Sequence, residues 1–170
     1  MKITFVAPSL NLTGGLRVIS VYADLLAKRG HEVTVISPGR HTPSLVQRIK
    51  SILSWRGYKF RSGFDVSYFV DVRYCLKVLP ESRAIISEDL PDADVIIATF
   101  WKTAEWVATL PERKGRKTYF VQHIETHPWM PIDRVESTYR LNFPTIAVAK
   151  WIAETLAEYR KHKRPIPLIQ

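Results

Sequence analysis

Three side chains at alternating positions, His123, Glu125 and His127, are the residues of this sequence best equipped for chemistry. While the backbone stays extended, alternate residues project to one face, so two imidazoles and a carboxyl would share it. Such a set can pair as acid and base, bind a metal, or hold a polar ligand by hydrogen bonds. The metal reading is the weaker one, because two histidines and one carboxylate recur by chance, and a solvated strand end competes with both others. Pro128 ends the regularity just beyond.

Gly14-Gly15 is the second feature. A glycine pair lets the backbone turn tightly and come close to a ligand, and the helix that follows would offer free N–H groups and positive dipole charge to an anion. A turn without a ligand explains the pair equally well. Neither G-x-G-x-x-G nor G-x-x-x-x-G-K-[ST] occurs, which argues against a nicotinamide dehydrogenase or a P-loop enzyme. Thr99 and Trp101 follow an apolar run and are further candidates for ligand contact, although packing is the commoner role of a large aromatic. Trp106 is assigned to packing; Trp101 is left open. Asp92-Ala93-Asp94 has a D-x-D spacing suited to a metal-bound nucleotide, but it precedes its apolar run.

These residues must be positioned by the elements around them. Short apolar runs at 2–7, 32–37, 66–70, 94–98, 118–122 and 144–148 alternate with helical patterns, the signature of repeated βαβ units. The predicted fold class is α/β: a Rossmann-like open, mostly parallel twisted sheet with helices on both faces. Gly14, Thr99, His123 and Glu125 then fall at the carboxyl edge, where such sheets bind ligands, and the D-x-D pair at the amino edge. Helix one is expected over 16–28, with Val18, Val21, Tyr22, Leu25 and Leu26 packed on the sheet and Gly30 as its stop. A second helix is expected over 43–55 and a last one over 150–160, followed by a basic run and the breakers Pro165 and Pro167.

Length and composition bound the rest. With 170 residues and 46% hydrophobic content, one core is expected: a domain over 1–164, with 165–170 starting a linker. No apolar run is long enough to span a bilayer and Met1-Lys2 leads straight into a strand, so a soluble, cytoplasmic protein is predicted. A single cysteine, Cys75, excludes an internal disulfide framework. The net charge of +9 favours an anionic partner. No acidic residue occurs over 33–64, where Arg48, Lys50, Trp55, Arg56 and Lys59 are candidate contacts to an anionic membrane surface. A solvated helix face with an ordinary core stripe explains the same pattern. Nucleic acid is not expected as a partner, since no stacking module accompanies the charge.

In the order they occur, several segments resemble the N-terminal domain of retaining GT-B glycosyltransferases of the family 4 type. They are Gly14-Gly15 with its helix, 30–35 (GHEVTV), 91–99 (PDADVIIAT), 119–125 (YFVQHIE) and 149–153 (AKWIA), similar to rhamnosyl and related polysaccharide glycosyltransferases. The resemblance implies a nucleotide-sugar donor as substrate, a sugar or lipid-linked acceptor, and no metal or other cofactor. It implies that Gly14, Gly15, Leu16 and Arg17 approach the donor diphosphate, that His123 contacts the transferred sugar, and that Glu125 contacts the acceptor or sugar hydroxyls. Thr99 and Trp101 would lie on the acceptor side. Many relatives carry serine where Ala149 or Lys150 stands. No donor-binding half with an E-x7-E motif follows Gln170, so the chain is expected to need such a domain, in cis or in trans, and to be nearly inactive alone. The alternatives are a non-catalytic basic module docking on membrane or a partner, and a stand-alone nucleotide binder.

Overall fold

A computed structural model describes residues 1–10, 13–39 and 67–160. Six parallel strands form one open sheet: β1 (Lys2–Val6), β2 (Glu32–Ser37), β3 (Cys75–Val78), β4 (Val95–Ala98), β5 (Arg116–Val121) and β6 (Thr145–Ala147). Their order in the sheet is β3-β2-β1-β4-β5-β6, that of a Rossmann-like α/β fold. Four helices are described: α1 (Gly14–Lys28), α2 (Trp101–Thr109), α3 (Ile132–Tyr139) and α4 (Lys150–Tyr159).

The strands read as continuous apolar runs because helices cover both faces of the sheet. On one face Ile3, Phe5, Val33, Val35, Ile97 and Phe120 pack with Leu16, Ile19 and Ala23 of α1. On the other, Val6, Ile36, Ile96, Tyr119 and Val121 pack with the buried sides of α2, α3 and α4. The two sets alternate along each strand, as a period of two requires. Beyond α1, Gly30 takes a positive φ of 84° and closes the helix, as its position in the sequence suggested.

Two expectations are corrected. The run at 66–70 is not a strand: Ser67–Phe69 forms a 3-10 turn, and the third strand is Cys75–Val78. Phe69 is buried beside α1, and the Tyr68 carbonyl accepts a hydrogen bond from the Ser20 hydroxyl, so this aromatic run serves as a plug under the helix. The stripe expected on α1 holds in part: Val18, Tyr22 and Leu26 pack against the core beside the buried Leu16, Ile19, Ser20 and Ala23, whereas Val21 and Leu25 are exposed.

The expected helix over 43–55, the membrane candidates Arg48, Lys50, Trp55, Arg56 and Lys59, and the linker at 165–170 lie outside the described residues. Among the described residues no helix is long and apolar enough to cross a membrane.

Candidate functional site

The strand order reverses between β1 and β4: β1 connects outward to β2, and β4 connects to β5 on the opposite side. Connections leaving in opposite directions open a crevice at the carboxyl ends of the two strands. A crevice of about 520 Å³ lies there. Pro8 lines it from the β1–α1 connection, Gly15 and Leu16 from the first turn of α1, and Thr99 and Phe100 from just beyond β4. The segment after β5 adds Gln122, His123, Glu125, His127 and Met130.

Two helices begin at this crevice. At α1, the N–H groups of Leu16 and Arg17 turn back to the Thr13 carbonyl, at 3.2 and 3.3 Å, whereas those of Gly14 and Gly15 have no backbone partner among the described residues. No acidic residue occupies the first turn. Neither glycine has a positive φ, and both lie within the helix rather than before it. Among the described residues a Cβ at Gly14 would meet nothing within 4 Å, and the nearest atoms to one at Gly15 belong to the end of the Gln122 side chain, at 3.5 Å. None of the described residues therefore requires glycine at either position.

At α2 the chain itself engages the first helical N–H and the two that precede the helix. The Thr103 hydroxyl accepts the N–H groups of Thr99 and Phe100 at 2.9 and 3.0 Å and donates to the Phe100 carbonyl. The Trp101 N–H donates to Glu125 Oε2 at 3.2 Å. Glu125 is held from the other side as well, its own N–H donating to the Tyr139 hydroxyl at 2.9 Å. Burial pushes the Glu125 carboxyl from its ordinary 4.5 up to about 7, with the Trp101 N–H pulling the other way. A carboxyl poised there can accept or donate a proton near neutral pH.

The side chains at 123, 125 and 127 do not form one acidic and basic face. His123 is exposed at the lip and its ring stacks on His127 with centroids 5.8 Å apart, while Glu125 turns down to α2. His127 stacks in turn on Trp129 at 4.7 Å and 2° between planes, and Trp151 meets His123 edge-on at 6.0 Å. No group of three His, Cys, Asp or Glu side chains among the described residues could hold a metal ion.

Of the residues singled out in the sequence, Gly15, Leu16, Thr99, His123, Glu125 and His127 come together in the crevice. Thr99 is buried and its hydroxyl donates to the Val6 carbonyl at 2.9 Å, locking the ends of β1 and β4 together. Trp101 does not line the crevice. Only 3% exposed, it packs inward under α2, with the Arg134 guanidinium 5.1 Å from its ring, and reaches the site through its backbone N–H alone. Gly14 and Arg17 are exposed outside the lining. The D-x-D pair sits at the amino edge: Asp94 accepts the Lys2 N–H at 2.7 Å and Asp92 pairs with Lys114 at 2.8 Å.

Sequence reasoning missed Gln122, Phe100 and Met130 as lining residues and Tyr139 as the support of Glu125. Gln122 carried a usable signal, being the first polar residue past the β5 run; Tyr139 lies on another element and carried none. In comparison with known proteins, no family model matches this chain and no curated protein matches it.

Proposed function

We propose that the chain is the acceptor-side half of a nucleotide-sugar-dependent glycosyltransferase of the GT-B type, acting in polysaccharide or glycoconjugate synthesis with a donor-binding half supplied in cis or in trans. The observation that carries this reading is the meeting, in one crevice, of an open helix start at Gly15 with a carboxyl held near neutrality at Glu125. A diphosphate needs backbone N–H donors it can approach closely, and glycines that the fold does not itself require leave that approach clear. Transfer joins an acceptor oxygen to the anomeric carbon as the nucleoside diphosphate leaves with the bonding pair. The acceptor hydroxyl must be held and must lose its proton, and Glu125 is the group of this wall suited to both. His123 at the lip would face the transferred sugar. The resemblance of the segments at 14–15, 91–99 and 119–125 supports the same assignment.

Amide spectra of the chain titrated with uridine, guanosine and thymidine diphosphate sugars test it. A lone acceptor half should bind one of them weakly, at about millimolar affinity, with shifts centred on Gly14 and Gly15. No shift there with any nucleotide-sugar would remove the reading. Submicromolar binding of a nucleotide alone would replace it with a stand-alone nucleotide binder. Transfer should be negligible until a donor half is added, because the transition state must be held from both sides of the cleft.

A further inference from the structure

We propose that the ring slab at the mouth of the crevice, Trp129 on His127 on His123, is a stacking platform for the apolar face of a neutral pyranose ring. Trp129 is 76% exposed, more than any other large apolar side chain described. His127 covers one of its faces at 4.7 Å and 2°, which leaves the opposite face toward solvent. His123 continues the stack, and Trp151, itself 51% exposed, braces His123 edge-on. The loop is tied on both sides of the slab, by the Glu125 N–H on the Tyr139 hydroxyl and the Met130 N–H on the His127 carbonyl, each at 2.9 Å. A large aromatic surface is thus held open in water beside a polar crevice, with His123 and His127 belonging to both.

The crevice chemistry selects among flat ligands. Among the described residues its lining has no lysine or arginine, one carboxyl at Glu125 and one primary amide at Gln122. That set suits hydroxyl groups. A pyranose supplies both halves of the match: a face of C–H bonds, weakly positive, for the negative face of an indole, and hydroxyls at the rim for the carboxyl and amide. An acyl chain would leave Glu125 and Gln122 unused. The inference rests on the proposed function only in taking this ring to be that of the acceptor.

The test is an amide and indole N–H titration of the chain with methyl pyranosides of glucose, mannose and rhamnose and with their disaccharides. Sorbitol, which has hydroxyls but no ring face, and anionic phosphatidylglycerol vesicles are the comparison arms. A saturable shift of the Trp129 indole with at least one glycoside and none with sorbitol is expected. Trp129→Ala should weaken that glycoside about tenfold, and Trp129→Tyr should restore part of the loss. The exposed position of Trp129 keeps both variants folded. No saturable shift with any glycoside, or an unchanged affinity in Trp129→Ala, would overturn the platform, as would a response to vesicles alone, which would mark a membrane surface. Nucleotide-sugar shifts at Gly14 and Gly15 are read in the same spectra. Glycoside binding without them would leave the platform standing and sink the donor reading, and the reverse pattern would do the opposite.

Discussion

Two helices start at the same crevice with the same dipole, and the chain treats them in opposite ways. At α2 the Trp101 N–H is taken by Glu125 and the Thr103 hydroxyl holds the two N–H groups just before the helix; at α1 the N–H groups of Gly14 and Gly15 have no backbone partner among the described residues, and no acidic residue stands in the first turn. A helix start is a fixed patch of partial positive charge worth satisfying. Where the fold satisfies it, the helix is anchored and a carboxyl is drawn into the crevice floor. Where the fold leaves it open, an anion can be received. On the proposed reading, the pair separates a structural use of the dipole from a ligand-binding one within a single site.

The contrast is broken most forcefully at α2. The Thr103 hydroxyl is fully buried and serves two N–H groups and one carbonyl. Thr103→Val keeps the shape and removes all three bonds, leaving two buried donors without partners. The expected loss is about 3 kcal/mol, read as a lower urea midpoint with unchanged slope. A loss below about 1 kcal/mol would mean that water reaches this helix start, and the two termini would not differ in kind.

Glu125 sharpens the contrast through pH. Its folded-state value, about 7, lies above its ordinary 4.5, so the native state binds the extra proton between those values. Stability contributed by the protonated form is complete below pH 4.5, is lost as pH rises toward 7, and stays lost above it. Glu125→Gln keeps an oxygen to accept the Trp101 N–H and abolishes the titration. At pH 8 the variant should be more stable than the parent by about 2 kcal/mol, and by no more than ~3 kcal/mol, the free energy of moving a proton equilibrium between those two values. The difference should vanish at pH 4. Denaturant melts at the two pH values measure it, and a parent that gains stability over Glu125→Gln as pH rises would reverse the assignment.

The open terminus is then closed by imitation. Gly15→Asp places a carboxylate at the start of α1, as Glu125 does at α2, with room for its Cβ. Stability should rise by a few tenths to about 1 kcal/mol from the dipole, while diphosphate binding falls about tenfold. A loss of stability, or unchanged binding, would show that the α1 start is not held open for an anion.

How much of this was legible in the sequence follows from where each signal resides. β1, β2, β4 and β5 were readable because buried parallel strands are apolar on both faces, and Gly30 marked the end of α1 through its required φ. β3 was not: Cys75, Leu76, Lys77 and Val78 alternate between exposed and half-buried at the edge of the sheet, while the stronger aromatic run before them turns under α1. The stripe on α1 was legible in Val18, Tyr22 and Leu26, which pack on the core, but not in the buried Ser20, which carries little hydrophobic weight, and the bulkier Val21 and Leu25 point away. Within the site, Glu125 and His123 stood out by type, but the partner of Glu125 is the backbone of residue 101, which no side-chain pattern announces. Trp101 was a candidate for the wrong reason: its ring is buried, and its amide makes the contact.

The smallest effect is the most discriminating, because it asks why the glycines are there. Gly39 and Gly115 are glycines for internal reasons: a Cβ at Gly39 would lie 2.5 Å from the Leu79 carbonyl oxygen, and Gly115 has a φ of 109° with the Val95 nitrogen 2.8 Å from its Cβ position. Alanine at either should destabilise. Gly14 and Gly15 have helical backbones and open space, so alanine removes only unfolded-state freedom and should add about 0.4–1 kcal/mol at each site, apart from the added contact with Gln122 at Gly15. Thermal melts of Gly14→Ala and Gly15→Ala beside Gly39→Ala and Gly115→Ala measure the split. Opposite signs for the two pairs would place the reason for the first pair outside the fold, in what approaches α1. Destabilisation by all four would instead make Gly14-Gly15 a structural feature of the β1–α1 connection, and the α1 start would cease to be the open counterpart of α2.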